Sequence, residues 1–306
     1  MTQTLEALAR RTSSIQGIRT VVHTMKTLAV INAAPFEDAA RAIDAYHASV
    51  LEALHALLSQ SAHVNTRMSA HAVSVYIVFG SDHGLCGNYN EALAAHVAKQ
   101  IERGGDVLLC VGAQIADALR DQGLNVQETF FPPASVDGIG RLSNLLTKTL
   151  AKIRSEALPG NISVSLAHFA RCDEGGQAPL FVPLLPLDPA LITTLQTTPW
   201  ASRSLPFFSL RPDDLFASLI QEHLFASLFK AAAEALVTEN AARLALMQQA
   251  EQSVDDRLGQ LQAETRVMRQ SEITTELLDV IIGFEALKKS RKNDNKNNKN
   301  RLGEPK

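Results

Sequence analysis

One stretch of this sequence has residue types and spacing suited to chemistry: Gly80-Ser-Asp-His-Gly-Leu-Cys-Gly-Asn-Tyr-Asn90. Cys86, three residues after His83, raises a thiolate–imidazole pair, the arrangement that activates a cysteine nucleophile. The glycines raise a second chemistry, an anion held by backbone N–H groups ahead of a helix N-terminus. The spacing restrains both. It fits neither G-x-G-x-x-G nor G-x-x-x-x-G-K-[ST], and no lysine follows to reach a phosphate. The pattern favours a structural strand–turn–helix connection. The alternative is a stand-alone α/β nucleotide-binding or thiol enzyme that uses Gly80–Asn90.

Elsewhere the chemistry thins out. The remaining histidines, among them His23, His47, His168 and His223, have no metal-ligand spacing, and no paired carboxylates, nucleophile elbow or zinc motif is written. Catalytic residues, cofactor and metal are all expected to be none. Cys86, Cys110 and Cys172 are odd in number and far apart, which fits reduced thiols in a cytosolic setting rather than a disulfide framework.

The elements that must position the loop form a small α/β pattern. Val73–Phe79 reads as a buried strand ending at Gly80, and Glu91–Arg103 as the helix after it. Strands follow at Asp106–Val111 and Asn125–Phe131, helices at Ala113–Gln122 and Gly140–Glu156. Asn161–Phe169 and Pro179–Leu187, with a Gly-Gly turn between them, suggest an antiparallel pair. A parallel sheet with a hairpin at one edge is predicted for residues 73–190. A Pro-rich connector then covers 191–211.

Two long helices flank this insert. From Ile15, steps of three and four residues reach Ile18, Val22, Met25, Ala29, Asn32, Phe36, Ala39, Ile43, Tyr46, Val50, Ala53 and Leu57. Asn32 is the polar exception in a seam of about six heptads, a position that commonly fixes register. Pro35 should kink or loosen that helix. From Leu244 the same rhythm gives Met247, Glu251, Val254, Leu258, Leu261, Thr265 and Met268 on a helix otherwise polar. The expected fold is α+β/α: a long antiparallel coiled coil of the N-terminal helix (1–60) and the C-terminal helix (212–287), with the α/β (Rossmann-like) domain inserted.

Composition agrees with a helical protein. Of the 306 residues, 46% are hydrophobic and 5% aromatic, with a net charge of −3. That charge is unevenly spread, because Lys288–Lys306 carries eight Lys/Arg against Asp294 and Glu304. Residues 288–306 read as a basic, disordered tail, solubilising or an electrostatic tether. No apolar run is long enough to span a bilayer, so no membrane span is expected.

Three anchors, in order, carry a resemblance to the gamma subunit of F-type rotary ATP synthases. The first is Ser13-Ser14-Ile15 with Thr24-Met25-Lys26. The second is Ser81-Asp82-His83-Gly84-Leu85-Cys86-Gly87 with Asn90, where His83 replaces the family's usual arginine. The third is Glu239-Asn-Ala-Ala-Arg243 through Met247, then Arg269-Gln270 and Ile273-Thr274-Thr275-Glu276-Leu277. Val21–Lys26 and Phe79–Asp82 look closest to the alternate, sodium-linked branch. The resemblance implies a central-stalk rotor without a catalytic site of its own. It would couple proton or sodium flow to ATP synthesis or hydrolysis by turning within a hexamer of alpha and beta subunits. It also implies epsilon and c-ring partners, no nucleic acid, and a peripheral place on the cytoplasmic face of the cell membrane. Carried over residue by residue, Met25, Lys26, Arg269, Gln270, Thr274 and Glu276 would contact beta. Ile281, Ile282 and Phe284 would sit at an upper bearing. The family's basic cluster is replaced here by Asn32-Ala33-Ala34-Pro35.

Overall fold

The computed structural model describes residues 4–60, 73–101, 106–156, 162–172, 176–200, 202–204 and 206–301. Residues 61–72, part of the Gly-Gly turn and the last five residues lie outside them. The chain divides into two compact units, one of Met1–Thr24 with Gln249–Lys306 and one of Met25–Gln248. Two helices, α1 (Leu5–Gln60) and α6 (Pro212–Arg301), contribute to both.

Within Met25–Gln248 a five-stranded sheet has the order β3-β2-β1-β4-β5. Its strands are β1 (Val73–Phe79), β2 (Val107–Val111), β3 (Glu128–Phe130), β4 (Ile162–Arg171) and β5 (Gln177–Leu185). The first four run parallel, and β5 pairs antiparallel with β4 at the edge. The connecting helices are α2 (Tyr89–Ala98), α3 (Ala113–Asp121) and α4 (Val136–Glu156). β-Branched and aliphatic residues fill both pleats, as a sheet covered on two sides requires. Val75, Ile77 and Phe79 join Leu109, Val164 and Leu166 on the face covered by α4 and by Leu228–Val237 of α6. Val78, Leu108, Cys110 and Phe169 face α2 and α3.

The helical seam emerges in the burial pattern. In the unit of Met1–Thr24 and Gln249–Lys306, Glu251, Val254, Leu258, Leu261, Thr265 and Met268 are the covered positions between Glu251 and Gln270, and everything between them is exposed. Arg19 Nε donates to Asp255 Oδ1 at 2.6 Å and His23 Nδ1 lies 3.2 Å from Glu251 Oε1, which fixes an antiparallel pairing of α1 with α6. In the other unit, Val22's counterparts Ala29, Phe36, Ala39, Ile43, Val50 and Leu57 of α1 are buried. Ile18, Tyr46 and Asn32 are exposed. Asn32 therefore fixes no register from inside a seam.

Two further departures have physical reasons. The connector expected at 191–211 holds a helix, α5 (Pro189–Thr197), started by Asp188, whose side chain accepts the Ala190 N–H at 2.8 Å, with Pro189 in the first turn. Helical backbone in α6 runs to Arg301 rather than giving way after Leu287, since no proline or glycine interrupts 284–301.

Candidate functional site

The loop after β1 lies where an α/β sheet usually keeps a ligand. In the order β3-β2-β1-β4-β5 the chain direction of winding reverses between β1 and β4, and crevices form outside the carboxyl ends of strands at such a point. Here that crevice is filled by the protein's own helix. Tyr89 at the start of α2 donates its hydroxyl to Ala235 O at 3.1 Å and meets Thr238 Oγ1 at 3.0 Å. Thr238 is fully buried, and its hydroxyl also lies 3.4 Å from Phe169 O near the end of β4. Arg243 Nη2 reaches Gly84 O at 3.5 Å while holding Glu239 Oε1 at 2.6 Å. Burial raises the Glu239 carboxyl above the usual range, against the pull of Arg243. Two sequence anchors, one on the loop and one on α6, are thus a single contact.

Within the loop every motif residue has a structural task. The Ser81 N–H donates to Asn90 Oδ1 at 3.0 Å, and Asn90 Nδ2 donates back to Ser81 Oγ at 2.8 Å. Asp82 Oδ1 accepts the Ala113 N–H at 3.1 Å, so a carboxylate already occupies the N-terminus of α3. Leu85 and Gly87 carry positive φ (64° and 68°), which turns the chain into α2. Gly112 also has positive φ, and a Cβ there would meet Ser81 O at 2.5 Å. Gly84 meets no neighbour within 4 Å of such a Cβ, and its carbonyl serves Arg243.

The proposed thiolate–imidazole pair is not formed. Cys86 is buried beside Ser81 Oγ (3.5 Å) and Asn90 Nδ2 (3.7 Å), and touches His83 through its backbone carbonyl at 3.9 Å. The His83 ring is exposed, 3.7 Å from Asp82. Burial pushes the Cys86 thiol up, away from the thiolate a nucleophile needs. Cys110, in the sheet core, is pushed up to about 12 by burial. The thiol-enzyme alternative fails on this geometry.

The other candidates sit on the long helices. Met25 and Lys26 of α1 are half-buried in one unit, and Arg269, Gln270, Thr274 and Glu276 of α6 are exposed in the other. Thr274 spends its hydroxyl on Gln270 O at 2.8 Å. Ile281, Ile282 and Phe284 are exposed. Phe284 is part of a larger feature that reading the sequence missed. Past Met268 the three-four walk lands on Glu272, Thr275 and Asp279 before it reaches Ile282, and a new apolar stripe begins at Ile273 and continues through Leu277, Val280, Phe284 and Leu287. Five residues separate Met268 from Ile273, a turn of about 140° around the helix, so the second stripe looks away from the first. All five stripe residues are exposed. The shift of register was the signal that could have found them.

A family described as ATP synthase matches residues 4–287, ending where the basic segment begins. The chain belongs to this family. A protein of Nitratidesulfovibrio vulgaris Hildenborough named ATP synthase gamma chain is 28% identical over 215 residues, 68% of this chain and 71% of that one. One of Geotalea uraniireducens with the same name is 24% identical over 299 residues, 93% of this chain and 99% of that one. Among solved structures, a chain in the Euglena gracilis mitochondrial ATP synthase (OSCP/F1/c-ring) superposes with a TM-score of 0.58 at 12% identity, covering 94% of this chain and 96% of that one. A chain of the Tetrahymena thermophila mitochondrial ATP synthase central stalk/c-ring has a TM-score of 0.51 at 17% identity, covering 75% and 99%. These superpositions establish a shared fold: paired long helices with an inserted α/β domain.

Proposed function

We infer that the chain is the central-stalk rotor subunit of an F-type ATP synthase, coupling transmembrane ion flow to ATP synthesis or hydrolysis by rotation within the alpha/beta hexamer. The observation that carries this reading is the second stripe on α6, a row of large apolar side chains that the chain builds and leaves uncovered. A single exposed leucine needs no explanation, whereas a continuous exposed stripe marks a partner surface. Ile281, Ile282 and Phe284 are the proposed bearing, seated in an apolar sleeve of the hexamer. Met25, Lys26, Arg269, Gln270, Thr274 and Glu276 are the proposed contacts with beta. Four of these lie on the exposed polar surface just before and within the stripe, where a turning helix would present different groups to successive beta subunits. Coupling then follows from differential contact: each orientation favours a different state of the beta cleft, and nucleotide occupancy favours a different orientation in return.

The finer assignments rest on the sequence likeness. An epsilon subunit and a ring of c subunits would hold the α/β domain and the ends of the helices nearest it, on the cytoplasmic face of the membrane. Among the described residues no helix is long and apolar enough to cross a bilayer. The sodium-linked branch is proposed from Val21–Lys26 and Phe79–Asp82, and ion choice would reside in the c ring.

Reconstitution tests the reading. Purified chain mixed with alpha and beta subunits should restore coupled ATP hydrolysis, and a chain ending at Gln270 should not. Hydrolysis by the chain alone, or full coupling by the shortened chain, would overturn it.

A further inference from the structure

Within Met25–Gln248 the contact of α1 with α6 includes a pair of histidines. His47 Nε2 lies 2.9 Å from His223 Nδ1, with ring centroids 4.9 Å apart and planes inclined at 35°. His223 is buried and His47 half-buried. Two ion or hydrogen-bond links surround them. Asp44, one turn back on α1, holds Lys230 of α6 at 2.6 Å. Tyr46 of α1 donates to Glu222 of α6 at 2.5 Å. Beyond Lys230 stand the buried His168 of β4 and Glu234 of α6, the latter held by Arg171 at 2.7 Å.

An N···N hydrogen bond needs one protonated nitrogen and one lone pair. Two neutral rings satisfy this. A single added proton preserves it as an imidazolium–imidazole bond, but places charge near Lys230 where Asp44 is already engaged. A second proton turns both facing nitrogens into donors, removes the bond and sets two like charges in contact. We propose that His47 and His223 form an acid-released latch between α1 and α6, closed while one facing nitrogen keeps its lone pair and open when both are protonated.

The electrostatics agree in direction. Burial, then Lys230, lowers His47 below the ordinary imidazole value, with Asp44 opposing. Burial, then His47, lowers His223 to about 4. A folded-state value below the unfolded one means that the unfolded chain takes up more protons. The latch's stabilisation is thus complete above the ordinary imidazole range and is lost as pH falls from about 6.5 toward 4. The inference concerns the helix contact itself and stands apart from the rotor reading.

Hydrogen exchange on the full chain tests it, read at amides 44–50 of α1 and 220–226 of α6 and corrected for intrinsic rates. From pH 7 to pH 5, opening there should rise on the order of tenfold in the wild type. His223→Gln, which can donate and accept without titrating, should flatten that rise. His168→Gln should leave it in place. No rise in the wild type, an equal rise in His223→Gln, or loss of the rise in His168→Gln would each overturn the latch. Ring-proton NMR titration of the wild type needs no variant to fold. The second protonation of the pair should fall well below the ordinary value, and both rings titrating at about 6.5 would also overturn it.

Discussion

Two stretches of α6 are both rich in apolar residues and have opposite fates. Between Ala231 and Asn240 nearly every side chain is buried, including Thr238, Glu239 and Asn240, because α1 and the sheet close on the helix from different sides. The residues there are small: Ala231, Ala232, Ala233 and Ala235 let the backbone approach its neighbours. Between Ile273 and Leu287 stand eight large apolar side chains, and every one of them is exposed, Phe284 at 72%. Small residues mark a helix fitted within its own chain. Large ones left in solvent mark a helix fitted to something else. Between these stretches, Val254–Met268 shows the intermediate case, in which one covered stripe satisfies a single partner helix.

Charge substitutions should separate the two stretches most sharply. Ala233→Asp puts an unpaired carboxylate where the exposure is zero, and should cost on the order of 3–5 kcal/mol in urea denaturation followed by circular dichroism. Ile281→Asp makes the same chemical change on an exposed face, and should move stability by no more than about 0.5 kcal/mol. A similar cost at both positions would mean that Ile273–Leu287 is covered within the chain. The partner surface would then be lost.

Truncations give the next largest contrast. Leu228→Ala, at a fully buried position against the sheet, should cost about 2–5 kcal/mol. Leu261→Ala in the covered stripe should fall toward the low end of that range, since one helix rather than a core surrounds it. A cost below about 0.5 kcal/mol at Leu261 would refute the pairing of α1 with α6 in that unit. Smaller again is Asp82→Ala, which removes the carboxylate from the N-terminus of α3 and should cost about 1 kcal/mol by the same measurement.

How much could be read beforehand followed the range of the physics. The pleat of β1 and the stripe Glu251–Met268 are local periodicities, and periodicity is written in adjacent residues. α5 was legible too, in the pair Asp188-Pro189, but the surrounding prolines drew attention to a connector. Asn32 lies one residue off the covered face, where half-buried Ala33 stands between buried Ala29 and Phe36, a slip that a strict three-four alternation does not resolve. The loop after β1 was harder. Its residues suggested chemistry, and what they do depends on Tyr89 meeting Thr238 and on Gly84 meeting Arg243, 159 residues away in sequence. No local pattern encodes that distance. A catalytic reading of Cys86 and His83 was excluded by burial and ring direction, which spacing alone does not carry.

The smallest effect on folding should be the most informative about function. Phe284→Ala removes a ring that touches solvent, so urea denaturation should register a change within about 0.5 kcal/mol. If that ring is buried on joining the hexamer, the same truncation forfeits about 1.5–3 kcal/mol of apolar burial, and association should weaken roughly tenfold or more. Arg269→Ala, on the polar surface ahead of the stripe, should instead leave association near wild type and lower the yield of coupling. A bearing residue and a contact residue are thereby distinguished by which quantity moves, binding or coupling. Should Phe284→Ala bind as tightly as the wild type, the exposed stripe would have some other partner, and the rotor reading would have to rest on the polar surface alone.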